Sequence, residues 1–375
     1  MTSLIPDSFE ASRGRFRSSL GRVAVRWPSS RIETHIIHAG EDDLSIDILH
    51  APATQRAQHM LLVTTGEHGI EGFVGSAIME LAIREILPTL DPETTSLCLV
   101  HAINPWGMKH EQRTNAANVD LNRNFVVSWD AASQANEGYR NLQSIFQPQG
   151  PMPSVQRNRL LLAGQVMRLA VTGKSGVLRQ ALLAGQYEEP AGLYYGGTEW
   201  QPETQIMRHL YDDCLRASPH LLHVDLHTGY GPRDRMSVVN SGLDPVPSTQ
   251  WAKRIDYPTV VAATSQEFYH IEGDMIDYMY RIRELSAPTT KMYATCFEFG
   301  CLGDSLLAQI DSLWCAVASN RLRQQGAVTE AIADKVQKLW RDAYCPSEPS
   351  WEEHAYSNAL RAFGGIVHDQ GLATG

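Results

Sequence analysis

Apolar runs of strand length that alternate with helical segments constrain the fold of this chain most strongly. HMLLVTTG at 59–66 is such a run, and SLCLVHAINP at 96–105 is another. Between them, EGFVGSAIMELAIREI at 71–86 has its apolar residues at helical spacing. Strands that are apolar on both faces are typical of parallel sheets that helices cover on both sides. The sequence therefore predicts an α/β fold of this kind.

Further strands extend the predicted sheet. Residues 32–51 alternate apolar and polar side chains on either side of GEDD, which predicts a β-hairpin. LLHVDLHTG at 221–229, TVVAAT at 259–264 and MYATCFEFG at 292–300 predict three more strands. No linker rich in glycine, serine or proline divides the chain. We therefore expect a single domain over residues 1–375, built on a mixed, mostly parallel, twisted sheet.

Two segments lie outside this alternation. Residues 126–200 are rich in glutamine and asparagine, contain PQGPMP and predict one helix near 155–173. We interpret this segment as an inserted elaboration or lid. Residues 304–344 have the spacing of two amphipathic helices, whose predicted role is packing.

The charge balance limits the expected partners of the protein. The formal net charge is −10 and the pI is about 5.8, whereas surfaces that bind nucleic acid are basic. The N-terminal sequence MTSLIPDSFEASRGRFRSSL is polar, and no apolar run approaches the ~18 residues of a membrane span. We expect a cytoplasmic protein that binds neither nucleic acid nor membranes. The sequence does not indicate its oligomeric state.

His68, Glu71 and His227 are the candidate metal ligands. His68 and Glu71 lie at the junction between a predicted strand and a predicted helix, and His227 is near the end of another strand. Small molecules and ions bind to α/β folds at the carboxyl ends of the strands. Because the three side chains lie at such ends, we expect them to come together at one edge of the sheet. A hydrolytic zinc site needs three such ligands and an open position for water. Strand alternation also places Asp225 beside His227, where it can fix the imidazole tautomer.

The segment NPWGMKHEQRTNAANVDLNRNF at 104–125 is predicted to be an irregular loop rich in arginine and asparagine. Arg113 and Arg123 can each present a planar guanidinium to a carboxylate or an oxyanion, and the Asn122 amide adds a donor. A salt-bridged surface loop is the alternative. The apolar residues around the polar pair in NVDLNRNF favour anion recognition.

The ordered motifs of the chain resemble those of the zinc carboxypeptidase family. The residues that carry the resemblance are His68, Glu71, Arg113, Asn122, Arg123, His227 and Glu298. The local sequences GEHGIEGFVGSA, HAINPWG and NVDLNRNF are similar to an uncharacterised bacterial branch of that family. The resemblance covers about residues 59–300. It implies a zinc carboxypeptidase-like fold with one Zn²⁺ per chain, held by the two histidines and Glu71.

The resemblance also implies the roles of the other motif residues. Arg113 would polarise the scissile carbonyl, whereas Asn122 and Arg123 would hold the free carboxylate of the substrate. Glu298 would act as the general base that takes a proton from the water activated by zinc. The apolar neighbours of Glu298 in TCFEFGC are expected to raise its pKa into a useful range.

EFYHIEGDMIDYMY is similar to the family's loop that carries a mobile tyrosine. The similarity nominates Tyr269 as the side chain that closes over the substrate, with Tyr278 and Tyr280 as alternatives. Ile276 takes the position that lines the side-chain pocket, which implies an apolar or aromatic residue of the substrate there. Asp274 lies nearby, and a shift of register would reverse that preference.

We expect a metallocarboxypeptidase that hydrolyses an amide bond of a small peptide. The motifs DLHTG and DLNR also resemble those of aspartoacylase and succinylglutamate desuccinylase, which cleave N-acyl amino acids. An amidohydrolase of that kind is therefore the alternative. A catalytically silent binding protein on the same fold is a third class. Peptides and acylated amino acids are the expected small-molecule partners.

Overall fold

A computed structural model of the protein describes residues 3–38, 40, 43–129, 136–173, 175–263 and 273–373. Within these residues, eight strands form one sheet in the order β1-β2-β4-β3-β5-β8-β6-β7. The strands are β1 Arg31–Ile36, β2 Ser45–Ala51, β3 His59–Thr65, β4 Thr95–His101, β5 His220–Gly229, β6 Met236–Ser241, β7 Val260–Ala263 and β8 Lys291–Gly300.

The helices that accompany this sheet are distributed along the whole described chain. They are α1 Phe9–Ala24, α2 Gly72–Glu85, α3 Pro105–Lys109, α4 Glu137–Phe146, α5 Val155–Val171, α6 Ser175–Leu183, α7 Pro202–Ala217, α8 Ser248–Arg254, α9 Met275–Ser286, α10 Leu306–Gln325, α11 Glu330–Tyr344 and α12 Pro349–Asp369. Short 3₁₀ turns occur at Gly69–Glu71, Leu87–Thr89 and Leu121–Arg123.

The pairing of the strands confirms the predicted mixed sheet. β3 is parallel to β4 and β5, and β5 is parallel to β8. β1 and β2 form the predicted antiparallel hairpin, and β2 and β6 pair antiparallel with β4 and β8. The strands at the centre are buried along almost their whole length, as expected for a sheet that is covered on both faces.

Helices pack on the sheet in two groups. α2 contacts β3 and β5 and also packs against α1 and α12, whereas α7 contacts the same two strands and packs against α9. The two C-terminal helices predicted at 304–344 are α10 and α11. Among the described residues, no helix has both the length and the apolar character that crossing a membrane requires.

Some elements differ from the prediction. The described part of residues 126–200 contains three helices, α4 to α6, where one was expected. α4 and α6 are short helices that pack mainly against each other. β6 was missed because MSVVNS is a short run after the turn-forming GYGPRDR. The role of residues 126–200 as a lid stays a prediction.

Candidate metal centre

The Glu71 carboxylate lies between the His68 and His227 imidazoles. Its Oε1 is 2.9 Å from His68 Nδ1, and its Oε2 is 2.9 Å from His227 Nδ1. The two rings are 4.9 Å apart, and one ligand atom from each residue lies within 4.8 Å of the others. All three residues are buried. The structure therefore brings together the three ligands predicted from the sequence.

Local backbone geometry produces this convergence. β3 ends at Thr65, and the 3₁₀ turn Gly69–Glu71 then directs His68 and Glu71 into one cavity before α2 begins. A Cβ atom on Gly69 would lie 1.9 Å from the Gly107 carbonyl carbon. The turn can pack against α3 only because residue 69 has no side chain.

The donor set fits a divalent metal such as zinc. Nδ1 of His68 is buried and has no hydrogen-bond partner among the described residues, and such atoms are costly to leave unsatisfied. A cation between this nitrogen, His227 Nδ1 and the Glu71 carboxylate would satisfy all three. Burial raises the pKa of Glu71, but the adjacent imidazoles outweigh it and hold that pKa below its ordinary value. Two nitrogens and a carboxylate are a common zinc ligand set.

Carboxylates on the far side of each imidazole fix the ligand orientation. His68 Nε2 is 3.2 Å from Asp120 Oδ1, and His227 Nε2 is 2.5 Å from Asp225 Oδ2. Thr64 Oγ1 in turn donates to Asp225 Oδ1 at 2.6 Å. When each Nε2–H donates outwards, the Nδ1 lone pairs face Glu71. Asp225 was expected from strand alternation.

Arg113 contacts the centre through Asp120 and Glu71. Its Nε donates to Asp120 Oδ2 at 2.9 Å, and its Nη1 is 3.4 Å from Glu71 Oε1. The Tyr194 ring lies between the two arginines, with its centroid 5.3 Å from Arg113 Cζ and 5.4 Å from Arg123 Cζ. These contacts hold both guanidinium groups at the wall of one cavity.

The Asn122-Arg123 pair lies where the loop meets α9. Arg123 is 2% exposed, and its Nε has no acceptor among the residues that the structure describes. Asn122 Oδ1 accepts a hydrogen bond from Met275 N at 2.9 Å. Burial and the like charge of Asp277 raise the pKa of Asp274, which also lines the cavity, to about 6. Arg123 also lines the cavity, and its Nε–H is a donor without an acceptor among the described residues.

Glu298 lies on β8 directly opposite His227 on β5. Its Oε1 accepts a hydrogen bond from Tyr230 N at 2.9 Å. Burial and the nearby Glu71 carboxylate raise the pKa of Glu298 to about 7, against the lowering effect of His227. A carboxyl group with this pKa can both take and return a proton near neutral pH.

One cavity of about 180 Å³ joins these residues. Its lining includes His68, Glu71, Arg113, Asn122, Arg123, His227, Ile276 and Glu298. Tyr269 lies outside the described residues. Tyr278 and Tyr280 do not line the cavity, because their hydroxyl groups bond Arg208 and Asp244 in the interior.

Asp120, Tyr194 and Glu67 are among the residues of the site that the sequence analysis missed. Asp120 is part of the DLNR motif, and Tyr194 belongs to AGLYYGG, which was interpreted only as the end of the elaboration. Glu67 precedes His68, and burial raises its pKa to about 7. The repeated acidic residues of GEHGIEG were the available signal for Glu67.

Part of this sequence is similar to a protein of known activity. Murein peptide amidase A of Escherichia coli K12 is 30% identical over 112 residues, which are 27% of this chain and 43% of that protein. The chain thus matches less than half the length of this curated relative.

Similar solved structures include thrombin activatable fibrinolysis inhibitor, with 14% identity, a TM-score of 0.47 and coverage of 90% of this chain and 77% of that chain. Carboxypeptidase A from Helicoverpa armigera has 15% identity, a TM-score of 0.43 and coverage of 96% and 76%. Residues 7–358 match the sequence profile described as "Protein of unknown function (DUF2817)", and the chain belongs to that family.

Proposed function

We propose that the protein is a zinc-dependent hydrolase that cleaves an amide bond beside a free carboxylate, as a metallocarboxypeptidase does. The observation that carries the proposal is the Glu71 carboxylate joining the Nδ1 atoms of His68 and His227, with Glu298 in register beside them. Such a constellation combines metal ligands with a general base, which is the minimum for hydrolysis.

The residues of the cavity divide the work of the reaction. When bound, zinc would supply Lewis-acid polarisation of the amide carbonyl and lower the pKa of a water to about 7. Glu298 accepts the proton of the attacking water and returns it to the leaving nitrogen. Arg113 stabilises the charge that develops on the carbonyl oxygen, an effect often worth about 3 kcal/mol for one donor.

Arg123 supports recognition of a substrate carboxylate. Its guanidinium is buried, and its Nε is without an acceptor among the described residues. A carboxylate of the substrate would satisfy this donor through a charge-assisted hydrogen bond. Asn122 Oδ1 already accepts a hydrogen bond from Met275 N, so its part in binding the substrate would use its side-chain NH₂ group as a donor. Tyr269 as the closing side chain stays a prediction.

The similarity to murein peptide amidase A supports an amidase that acts on peptides as a second candidate for the same chemistry. An aspartoacylase-like deacylase remains the further alternative, because its substrates carry a carboxylate as well. All three share the metal ligands and Glu298. They differ in the group attached to the acyl side of the amide.

A substrate panel distinguishes these candidates. Zinc-loaded protein is incubated with peptides that have free or amidated C-termini, with murein peptides and with N-acyl amino acids, and release of the products is followed by mass spectrometry. We expect cleavage of peptides that have a free carboxylate and none of their amidated forms. Cleavage confined to N-acyl amino acids would contradict the carboxypeptidase assignment.

A further inference from the structure

Glu67, the residue before His68, is a buried carboxylate that the proposed reaction does not use. The residue is 1% exposed, and neither of its oxygens accepts a hydrogen bond from any residue that the structure describes. Its Oε2 lies 3.3 Å from His227 Nε2, but that contact is not aligned as a hydrogen bond. Glu67 therefore interacts with His227 through charge.

The Nε2 side of His227 faces two carboxylates, although it has only one proton to donate. Asp225 lies closer, at 2.5 Å, and is itself held by Thr64. Asp225 is therefore the hydrogen-bond acceptor that sets the tautomer. When ionised beside a bound cation, Glu67 adds a second negative charge at the same nitrogen without adding a hydrogen bond.

A buried carboxylate without a hydrogen bond destabilises a folded protein unless a positive charge lies close by. The ligand set of His68, Glu71 and His227 contains one negative charge, which would neutralise half of a divalent cation. A cation on the Nδ1 side of His227 would be attracted through the ring by the charge of Glu67, since the surroundings exclude water.

We propose that Glu67 is a positioning residue of the metal centre: its charge holds the His227 imidazole with Nδ1 towards Glu71 and strengthens binding of a divalent cation there. The inference rests on the proposed function, because it assumes that His227 is a metal ligand. It assigns Glu67 a role in binding the cation and none in contacting the substrate.

Zinc affinity measured by competition with a chromogenic chelator tests this role. Glu67→Gln keeps the shape of the side chain and removes its charge, and we expect a loss of affinity of about 10- to 100-fold, as for other outer contacts of metal ligands. Glu67→Asp keeps the charge and is expected to retain most of the affinity. Unchanged affinity in Glu67→Gln would overturn the proposal.

Glu203→Gln is the matched control. Glu203 is also a buried carboxylate, 2% exposed, but it lies in the first turn of α7, is bonded by Asn115 and does not line the cavity. We expect its substitution to leave zinc affinity unchanged. An equal loss of affinity in both variants would show a general effect of buried charge and contradict a specific role of Glu67.

Thermal unfolding separates this role from a purely structural one. Without metal, Glu67→Gln should unfold at the same or a higher temperature than the wild-type protein, because a neutral amide replaces a buried carboxyl group that has no hydrogen bond. Added zinc should then raise the unfolding temperature by less than in the wild type. A lower temperature without metal, with an undiminished zinc effect, would contradict the inference. Absence of zinc binding in the wild type would contradict the proposed function itself.

Discussion

His227 on β5 and Glu298 on β8 are register partners in a parallel pair of strands. Side chains of register partners in neighbouring strands point to the same face of a sheet. The candidate metal ligand and the candidate general base are therefore held side by side by backbone hydrogen bonds, and their separation does not depend on a flexible loop. This arrangement favours the proton transfer that hydrolysis requires.

Glu298→Gln is expected to keep bound zinc and lose turnover. The amide cannot take a proton from the attacking water, so kcat should fall about 100- to 10,000-fold, the usual range for loss of a general base. Metal content and kcat are measured on the same preparation. Turnover close to that of the wild type would remove Glu298 from the mechanism.

The reaction is expected to need Glu298 in its ionised form. Burial raises the pKa of this group to about 7, so its active form is lost as pH falls through that value. A cation bound near Glu71 lowers the pKa of Glu298. The acidic limb of kcat/KM is therefore expected at or below about pH 7. A pH series from 5 to 8 at saturating zinc measures the limb. A limb above pH 7, or a rate that rises as the pH falls, would contradict the assignment.

Arg113→Lys is expected to reduce kcat more than it changes KM. Lysine keeps the charge but cannot bond Asp120 and reach the oxyanion with one planar group. The expected loss is about 100- to 1000-fold, as for removal of an oxyanion donor. Arg159→Lys is the control, because Arg159 pairs with Asp311 in an exposed position and its substitution should leave kcat unchanged. Equal kinetics of the two variants would refute the role of Arg113.

Arg123→Met is expected to abolish discrimination between free and amidated C-termini. The wild type should prefer the free carboxylate, because it pairs with a buried guanidinium, and loss of such a pair costs about 2 to 5 kcal/mol. The ratio of kcat/KM for the two forms of one peptide measures the effect. If the variant still prefers the free acid as strongly as the wild type, another residue binds the carboxylate.

The sequence predicted the parts of the site that depend on local pattern. Strand alternation placed Asp225 beside His227, and the strand-to-helix junction placed His68 next to Glu71. Tyr194 could not be predicted in this way, because its position between two arginines arises from the packing of a distant segment. Glu67 was also missed, because the local sequence does not show that its side chain is buried beside His227 of β5.

The strands of the fold were likewise predicted where the local sequence pattern is strong. β3, β4, β5 and β8 are apolar runs of strand length, and they were predicted for that reason. β6 pairs with β8 at one side of the sheet, and its six residues are too short a pattern to stand out from the turn before them.

The zinc content of purified protein tests the central claim most directly. We expect one zinc per chain in the wild type and almost none in His227→Ala. His220→Ala is the matched control, because His220 begins the same strand at its far end, beside His59, and should keep one zinc per chain. A wild-type protein that binds no zinc, or a His227→Ala variant that retains it, would contradict the account.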